Sequence, residues 1–148
     1  MDEIMKESII IYASFDKQQY YFGENYQDIP KDIQKEIITE VVNLSEKTKT
    51  NIALEFDNKG FIFVKEFNKE DVFSDDIGNA LDIKQFASKN QELLAALQRW
   101  YMIYKTDEGK IVAKIAWLTQ QGQDKDTILK KIEEQFGQTG LDFAKVLL

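Results

Sequence analysis

A stripe of apolar residues at helical spacing, placed behind the only proline of the chain, most constrains the fold. Pro30 suits the first turn of a helix, because its φ is fixed near the helical value and its missing N–H would be unpaired there. Around it, large aliphatic residues recur every three or four positions, the period of one helix face: Ile29, Ile33, Ile37, Val41 and Leu44. This spacing predicts an amphipathic helix that runs to about Ser45 and lies on a sheet.

Two strand pairs flank this helix in the sequence. The β-branched and aromatic stretch 8–15, followed by polar residues and then by the aromatic run 20–22, predicts a hairpin that ends at Gly23. The clearest hairpin is 51–66, where apolar and polar residues alternate around a turn of Asp57, Asn58, Lys59 and Gly60. Its returning strand is apolar on both faces, which indicates cover on both faces or a second copy of the chain.

The middle of the chain predicts two consecutive helices. Ser74 has the position of an N-cap, and the acids Asp75 and Asp76 follow in the first turn, where the helix dipole favours anions. Helical spacing then continues to Tyr104 with one interruption at 87–90. Because globular helices commonly run 8–20 residues, the interruption predicts a bend between two helices.

The last forty residues predict one further strand and one further helix. Thr106–Gly109 has the composition of a turn, and apolar residues alternate over 111–118, which predicts a fifth strand. A helix fits the same stretch nearly as well. Asp126 is expected to cap a short helix that Gly137 ends, and the apolar end 141–148 fits a strand or a helix.

This order of elements predicts an α+β fold of two layers: an antiparallel sheet of four to five strands with helices packed mainly on one face. A chain of 148 residues can bury one core, so we expect a single α+β domain over 1–148. Within it, 106–148 is expected to form a C-terminal extension packed on the body.

The residue types exclude several kinds of chemistry. The chain contains no cysteine and no histidine, which removes thiolate nucleophiles, zinc ribbons and the commonest general base. Neither a Gly-x-Gly-x-x-Gly nor a Gly-x-x-x-x-Gly-Lys-Ser/Thr phosphate loop occurs. We therefore expect a protein that is not an enzyme and that holds no cofactor.

The densest acidic cluster leaves one enzymatic alternative open. Carboxylates are ligands for magnesium, so this cluster fits a carboxylate–magnesium hydrolase. The same residues are also explained by solubility and by the start of a helix. The cluster consists of Glu66, Glu70, Asp71, Asp75 and Asp76.

The charge of the chain argues against nucleic acid as a partner. There are 19 basic and 26 acidic residues, a net charge of −7, and no basic stripe that would bind phosphates. No apolar run approaches the roughly 20 residues that span a bilayer, and the apolar run 9–13 is too short for a signal segment, so none is expected. A cytoplasmic protein that binds neither nucleic acid nor membrane is therefore expected.

Aromatic residues suggest an interaction surface. Tyrosine and tryptophan bring large apolar area with a polar tip, so they concentrate in interfaces, although rings of this kind also line cores. The candidate surface residues are Tyr20, Tyr21, Tyr26, Arg99, Trp100, Tyr101 and Tyr104.

Two functional hypotheses follow from these observations. The first is a protein-interaction or regulatory module that binds a protein partner or a second copy of itself, in particular an inhibitor or immunity-like protein that meets a basic partner. The second is a small-ligand sensor with an apolar pocket between sheet and helices, lined by Phe61, Phe63 or Trp100.

Several short motifs over about residues 8–105 are similar to those of a family. They are Gln19-Tyr20-Tyr21, Ile29-Pro30, Leu54-Glu55-Phe56-Asp57 with Gly60, Asp76-Ile77-Gly78, and Leu93-Leu94 with Ala96-Leu97 and Tyr101. In these motifs the chain resembles a bacterial family of small acidic proteins with no assigned function. The resemblance implies a small domain of this type and carries no catalytic residues.

Overall fold

The α+β prediction is confirmed by a computed structural model, which describes residues 7–67 and 76–148. Within these ranges lie a four-stranded antiparallel sheet and five α-helices. The strands are β1 (Ile9–Ser14), β2 (Gln19–Phe22), β3 (Asn51–Phe56) and β4 (Ile62–Phe67). The helices are α1 (Lys31–Thr48), α2 (Asp76–Lys89), α3 (Gln91–Lys105), α4 (Asp107–Gln120) and α5 (Lys125–Leu147).

The chain divides into two compact units. The first, the N-terminal unit, ends at Gln98, and the second, the C-terminal unit, is Arg99–Leu148. The division falls inside α3, whereas the sequence places the start of an extension at residue 106. A single domain over 1–148 stays a prediction.

Both predicted hairpins are present, and they meet in one sheet with the strand order β2-β1-β3-β4. β1 pairs with β2 and β3 pairs with β4, as the alternation predicts, and β1 also pairs with β3. In the centre of the sheet Leu54 lies opposite Ile11 on one side and opposite Val64 on the other. All six residues of β3, which lies between β1 and β4, are buried.

The predicted amphipathic helix is α1, which begins directly after Pro30 and ends three residues later than expected. α1 packs on β1 and β3, and its stripe places Ile37 and Val41 in the core. Its last turn ends at Lys49, which adopts a left-handed conformation with φ 56°. Buried Gln34 donates hydrogen bonds to the carbonyls of Ile29 and Gln27, at 2.7 and 3.0 Å.

The interruption predicted at 87–90 separates α2 from α3. Asn90 lies between the two helices with its side chain buried, and its Nδ2 donates to the carbonyl of Phe86 at 3.0 Å. The predicted N-cap Ser74 and its neighbour Asp75 lie outside the described residues.

The predicted fifth strand is wrong, because residues 111–118 form the centre of α4. Thr106 is likewise no turn residue: it is the N-cap of α4, and its Oγ1 accepts a hydrogen bond from the Gly109 N–H at 3.0 Å. Ile111 and Leu118, which lie two turns apart on the same face of α4, are buried in a core with α5. This packing decides between the two patterns that the sequence allows.

α5 differs from the predicted short helix at both ends. Its N-cap is Asp124 and not Asp126, since the Asp124 Oδ1 accepts from the Thr127 N–H at 2.8 Å. Gly137 interrupts the helix with φ 73°, as a helix-ending glycine would, but the chain resumes a helix beyond it. The end of the chain, for which the sequence allows a strand or a helix, is therefore helical to Leu147.

Candidate interaction surface

The seven residues expected to form an interaction surface divide into exposed and buried sets. Tyr20 and Tyr104 are each 55% exposed and Arg99 is exposed, whereas Tyr21 and Tyr101 are half-buried. Tyr26 and Trp100 are buried and present no ring to solvent. Three of the seven (Tyr20, Tyr21 and Tyr26) belong to the N-terminal unit and four to the C-terminal unit.

The two buried rings have structural roles. The Tyr26 hydroxyl donates to the Glu7 carbonyl at 2.5 Å, and its ring lies 5.5 Å from that of Phe56. Trp100 stacks at a tilt on Tyr104, with 5.6 Å between ring centroids, and the Lys105 ammonium lies 5.7 Å from its ring. A hydroxyl that reaches the edge of a core is the arrangement expected for buried tyrosine.

The negative charge of the molecule is concentrated in the N-terminal unit. Residues 1–98 contain 19 acidic and 11 basic residues, a net charge of −8, while residues 99–148 contain 7 acidic and 8 basic residues, a net charge of +1. The charge that makes the whole chain acidic is thus carried by one unit.

The solvent face of α1 displays part of this charge. Asp32, Glu36 and Glu46 are exposed on the side of the helix opposite the buried Ile37 and Val41. No ion pair joins any of the three to a lysine or arginine in the described ranges. These acids are not among the residues predicted from the sequence, although the polar face of the predicted helix contains them.

Two other acids are paired between α1 and α2. Glu40 lies 3.2 Å from the Lys89 ammonium, and Asp82 lies 3.5 Å from that of Lys47. These pairs line a groove of about 210 Å³ whose floor includes Leu44. Exposed pairs of this kind typically contribute about 0.2–1 kcal/mol to the free energy of unfolding. Their main consequence here is that Glu40 and Asp82 are already paired with lysines of the same unit.

A smaller crevice, of about 70 Å³, opens between the β1–β2 turn and the last turns of α1. It combines an exposed ring, an aliphatic floor and a carboxylate. It is lined by Ala13, Ser14, Phe15, Gln18, Gln19, Tyr20, Val42, Ser45 and Glu46. Of the predicted surface residues, Tyr20 is the one that lines this crevice.

Asn51 fixes the turn that forms one wall of the crevice. Its Oδ1 accepts from the N–H groups of Phe15 and Asp16, at 2.7 and 3.3 Å, and its Nδ2 donates to the Asp16 carboxylate at 3.2 Å. Within the turn, Gln18 has φ 54°, and its Nε2 donates to the Phe15 carbonyl at 2.7 Å. Burial, followed by the charge of Asp16, raises the pKa of Tyr12 above 10.0, so its hydroxyl stays neutral at physiological pH.

The residues of the acidic cluster do not assemble a metal site in the described ranges. No group of three acidic side chains that could hold a metal ion lies within residues 7–67 and 76–148. Glu66 accepts a hydrogen bond from Asn79 at 3.3 Å. Glu70, Asp71 and Asp75, and the side chain of Asp76, lie outside the described residues.

The rings expected to line a ligand pocket lie elsewhere. Phe61 and Phe63 are exposed at the sheet edge, Trp100 is buried, and none of the three lines the grooves of about 210 and 220 Å³ or the crevice of about 70 Å³. A groove of about 220 Å³ is present in the C-terminal unit, with Ile111 and Phe143 among its lining residues. Its rim carries two carboxylates at the start of α4.

No helix of the described segments is long and apolar enough to span a bilayer.

A family model described as a family of unknown function (DUF6145) matches residues 7–109, and this confirms the resemblance expected for 8–105. No curated protein and no solved structure matches the chain. The matched range holds all of the exposed α1 acids and the crevice, whereas most of the C-terminal unit lies beyond it.

Proposed function

The chain belongs to the family of unknown function DUF6145, and we propose that it is a non-catalytic interaction module whose N-terminal unit binds a basic protein. The observation that carries this proposal is the free acidic face of α1, displayed on a unit with a net charge of −8. Such a face attracts a positively charged surface over long distances and speeds its encounter.

The composition of the chain supports a role without catalysis. The chain has no imidazole or thiol group, and no three acidic side chains that could hold a metal ion come together in the described ranges. A protein that covers a basic surface can block what that surface binds, which is how an inhibitor or immunity-like protein would act.

The test is capture of the partner by the tagged full chain at low and at high salt, followed by mass spectrometry. We expect a basic protein that is retained at low salt and released at high salt, because salt screens exposed charges. The double variant Asp32→Asn/Glu36→Gln should lose most of this capture.

The matched control is Glu133→Gln/Glu134→Gln, which removes two exposed charges from α5. Because the net charge changes equally, the control should capture the partner nearly as well as the wild type. Capture that is unaffected by both salt and the α1 variant would contradict the proposal. So would turnover of a substrate that a single acid-to-amide substitution abolishes.

A small-ligand role is the second candidate, and the groove of about 220 Å³ in the C-terminal unit favours it. Phe136, Phe143 and Ile111 give it an apolar lining, but its volume is below the roughly 300–1,000 Å³ of usual ligand sites. A small apolar probe such as toluene should then raise Tm in the wild type and not in Phe143→Ala. Equal Tm values with and without toluene would remove this candidate.

A further inference from the structure

The crevice between the β1–β2 turn and α1 combines three features that favour a cation. The first is the Glu46 carboxylate, which is exposed at the crevice and forms no ion pair with any described base. The second is the position of the crevice at the last turns of α1, where the helix dipole is negative. The third is the ring of Tyr20, whose face attracts positive charge.

The shape of the crevice suits a single long side chain. Its 70 Å³ is several times the roughly 10–15 Å³ that one water occupies on the same measure. Ala13 and Val42 supply apolar lining for methylene groups, while Gln18 and Glu46 offer polar atoms. An occupant with an aliphatic stem and a positive head uses all of these surfaces.

The nearby lysine on α1 does not already occupy this role. Lys47 points its ammonium towards α2, where it lies 3.5 Å from Asp82 and donates to Gln85 at 3.3 Å. Ser45, which also lines the crevice, donates its hydroxyl to the Thr50 carbonyl at 2.7 Å. Its hydroxyl proton is therefore used inside the fold, which leaves Glu46 as the charged group at the opening.

We propose that this crevice receives one arginine side chain of the basic partner, with its guanidinium between the Tyr20 ring and the Glu46 carboxylate. The proposal rests on the proposed function and names the contact through which it would act. Arginine fits better than lysine, because its planar head stacks on an aromatic face and pairs with a carboxylate at the same time.

The test is a titration of the ¹⁵N-labelled full chain with a tetra-arginine peptide at low salt, followed by amide chemical shifts. Shifts should concentrate at Gln18, Gln19, Tyr20 and Glu46. Glu46→Gln should weaken the affinity about tenfold, because a hydrogen bond to a charged group is lost. Tyr20→Leu should weaken it about two- to fivefold.

Glu133→Gln is the matched control, because it removes the same charge from an exposed position outside both the crevice and the acidic face of α1. It should change the affinity less than about twofold. Both glutamates are exposed, and an unchanged amide spectrum elsewhere verifies that each variant folds. A tetra-lysine peptide tests the preference for arginine and should bind more weakly.

The outcomes separate this proposal from the one on which it rests. If Glu46→Gln and Glu133→Gln weaken binding equally, or if shifts spread along α1, the crevice proposal is overturned while salt-dependent capture of a partner still stands. Absence of peptide binding also overturns the crevice. If partner capture is insensitive to salt and to the α1 acids, the proposed function fails, whatever the peptide does.

Discussion

At the scale of single residues, Glu55 is the most unusual group in the described structure. It lies on the central strand β3 and is only 3% exposed. Its Oε1 accepts a hydrogen bond from the Ser8 hydroxyl at 2.9 Å, but its Oε2 has no hydrogen-bond partner among residues 7–67 and 76–148. A buried carboxylate that is not fully partnered opposes folding, because it gives up its hydration without full replacement.

We therefore expect Glu55→Gln to stabilise the protein. The amide keeps an oxygen for Ser8 and removes the buried charge, so the free energy of unfolding at neutral pH should rise by about 1–2 kcal/mol. Urea unfolding followed by circular dichroism measures this change. The exposed Glu46→Gln should stay within about 0.5 kcal/mol of wild type. A loss of stability in Glu55→Gln would contradict this expectation.

Single residues also show what a sequence cannot distinguish. Tyr20 and Tyr26 are six positions apart and chemically identical, yet one is exposed and the other buried. The difference arises because the Tyr26 side chain contacts the Glu7 carbonyl and the Phe56 ring, which are both far from it in the sequence. Composition therefore located the aromatic residues, and only tertiary packing separates surface rings from core rings.

At the scale of elements, a prediction succeeds where one period dominates. α1 and the 51–66 hairpin each show a single apolar period, so both were predictable within a few residues. The stretch 111–118 is apolar almost throughout and has one charged residue, Lys114, so both periods fit it. Contacts with α5 decide its structure, and those contacts are not visible in the local pattern.

Gly109 should be essential to the junction of α3 and α4. A Cβ atom at this position would lie 1.6 Å from the Met102 carbonyl oxygen, which is backbone and cannot move freely. Gly109→Ala should therefore lower the free energy of unfolding by about 3 kcal/mol.

Gly122→Ala is the comparison for this prediction. Gly122 has open space around it and a φ of 81°, so the variant should lose only about 1 kcal/mol through backbone strain. Urea denaturation of both variants checks the order. Equal stability of Gly109→Ala and wild type would contradict the close approach.

The cap of α5 should give a measurable dependence on pH. The hydrogen bonds from Thr127 lower the pKa of Asp124 below 3.8. A carboxyl group whose pKa is lowered by folding stabilises the fold above its unfolded pKa, and this contribution is lost as the pH falls through the folded pKa. Asparagine also caps helices but does not titrate, so Asp124→Asn should resemble wild type at neutral pH and lose less stability in acid.

Unfolding of both proteins between neutral pH and about pH 2 tests this expectation. Asp126→Asn serves as the control, because Asp126 lies in the same turn but is not the cap. It should follow the wild-type curve. If the acid limbs of Asp124→Asn and wild type coincide, the cap contributes no pH dependence.

At the scale of the whole molecule, the acidic part of the chain is also the part that the family model matches. The family match at 7–109 contains the complete acidic N-terminal unit as far as it is described, but only the first residues of α4. The α1 acids were predictable from the polar face of a helix. The crevice was not, because it forms where a turn near residue 18 meets a helix near residue 46.

The C-terminal unit presents a different surface, with exposed apolar residues on α4. α4 buries Ile111 and Leu118 against α5, yet it also exposes Val112 and Trp117, the latter by 58%. Ala113 and Ala116, which lie between these two in the sequence, are also exposed. An exposed apolar patch commonly marks a contact site.

We expect the full chain to associate through the outer face of α4 as its concentration rises. In this contact Trp117 of one copy would pack against Ala113 and Ala116 of another. Static light scattering should show an average mass that increases with concentration, and Trp117→Gln should abolish the increase. Ile77→Gln, which removes an exposed aliphatic residue from α2, should leave it intact. Because each copy carries a net charge of −7, salt should strengthen this association while it weakens capture of a basic partner. A mass that falls with added salt, or a Trp117→Gln variant that associates like wild type, would contradict a contact through α4.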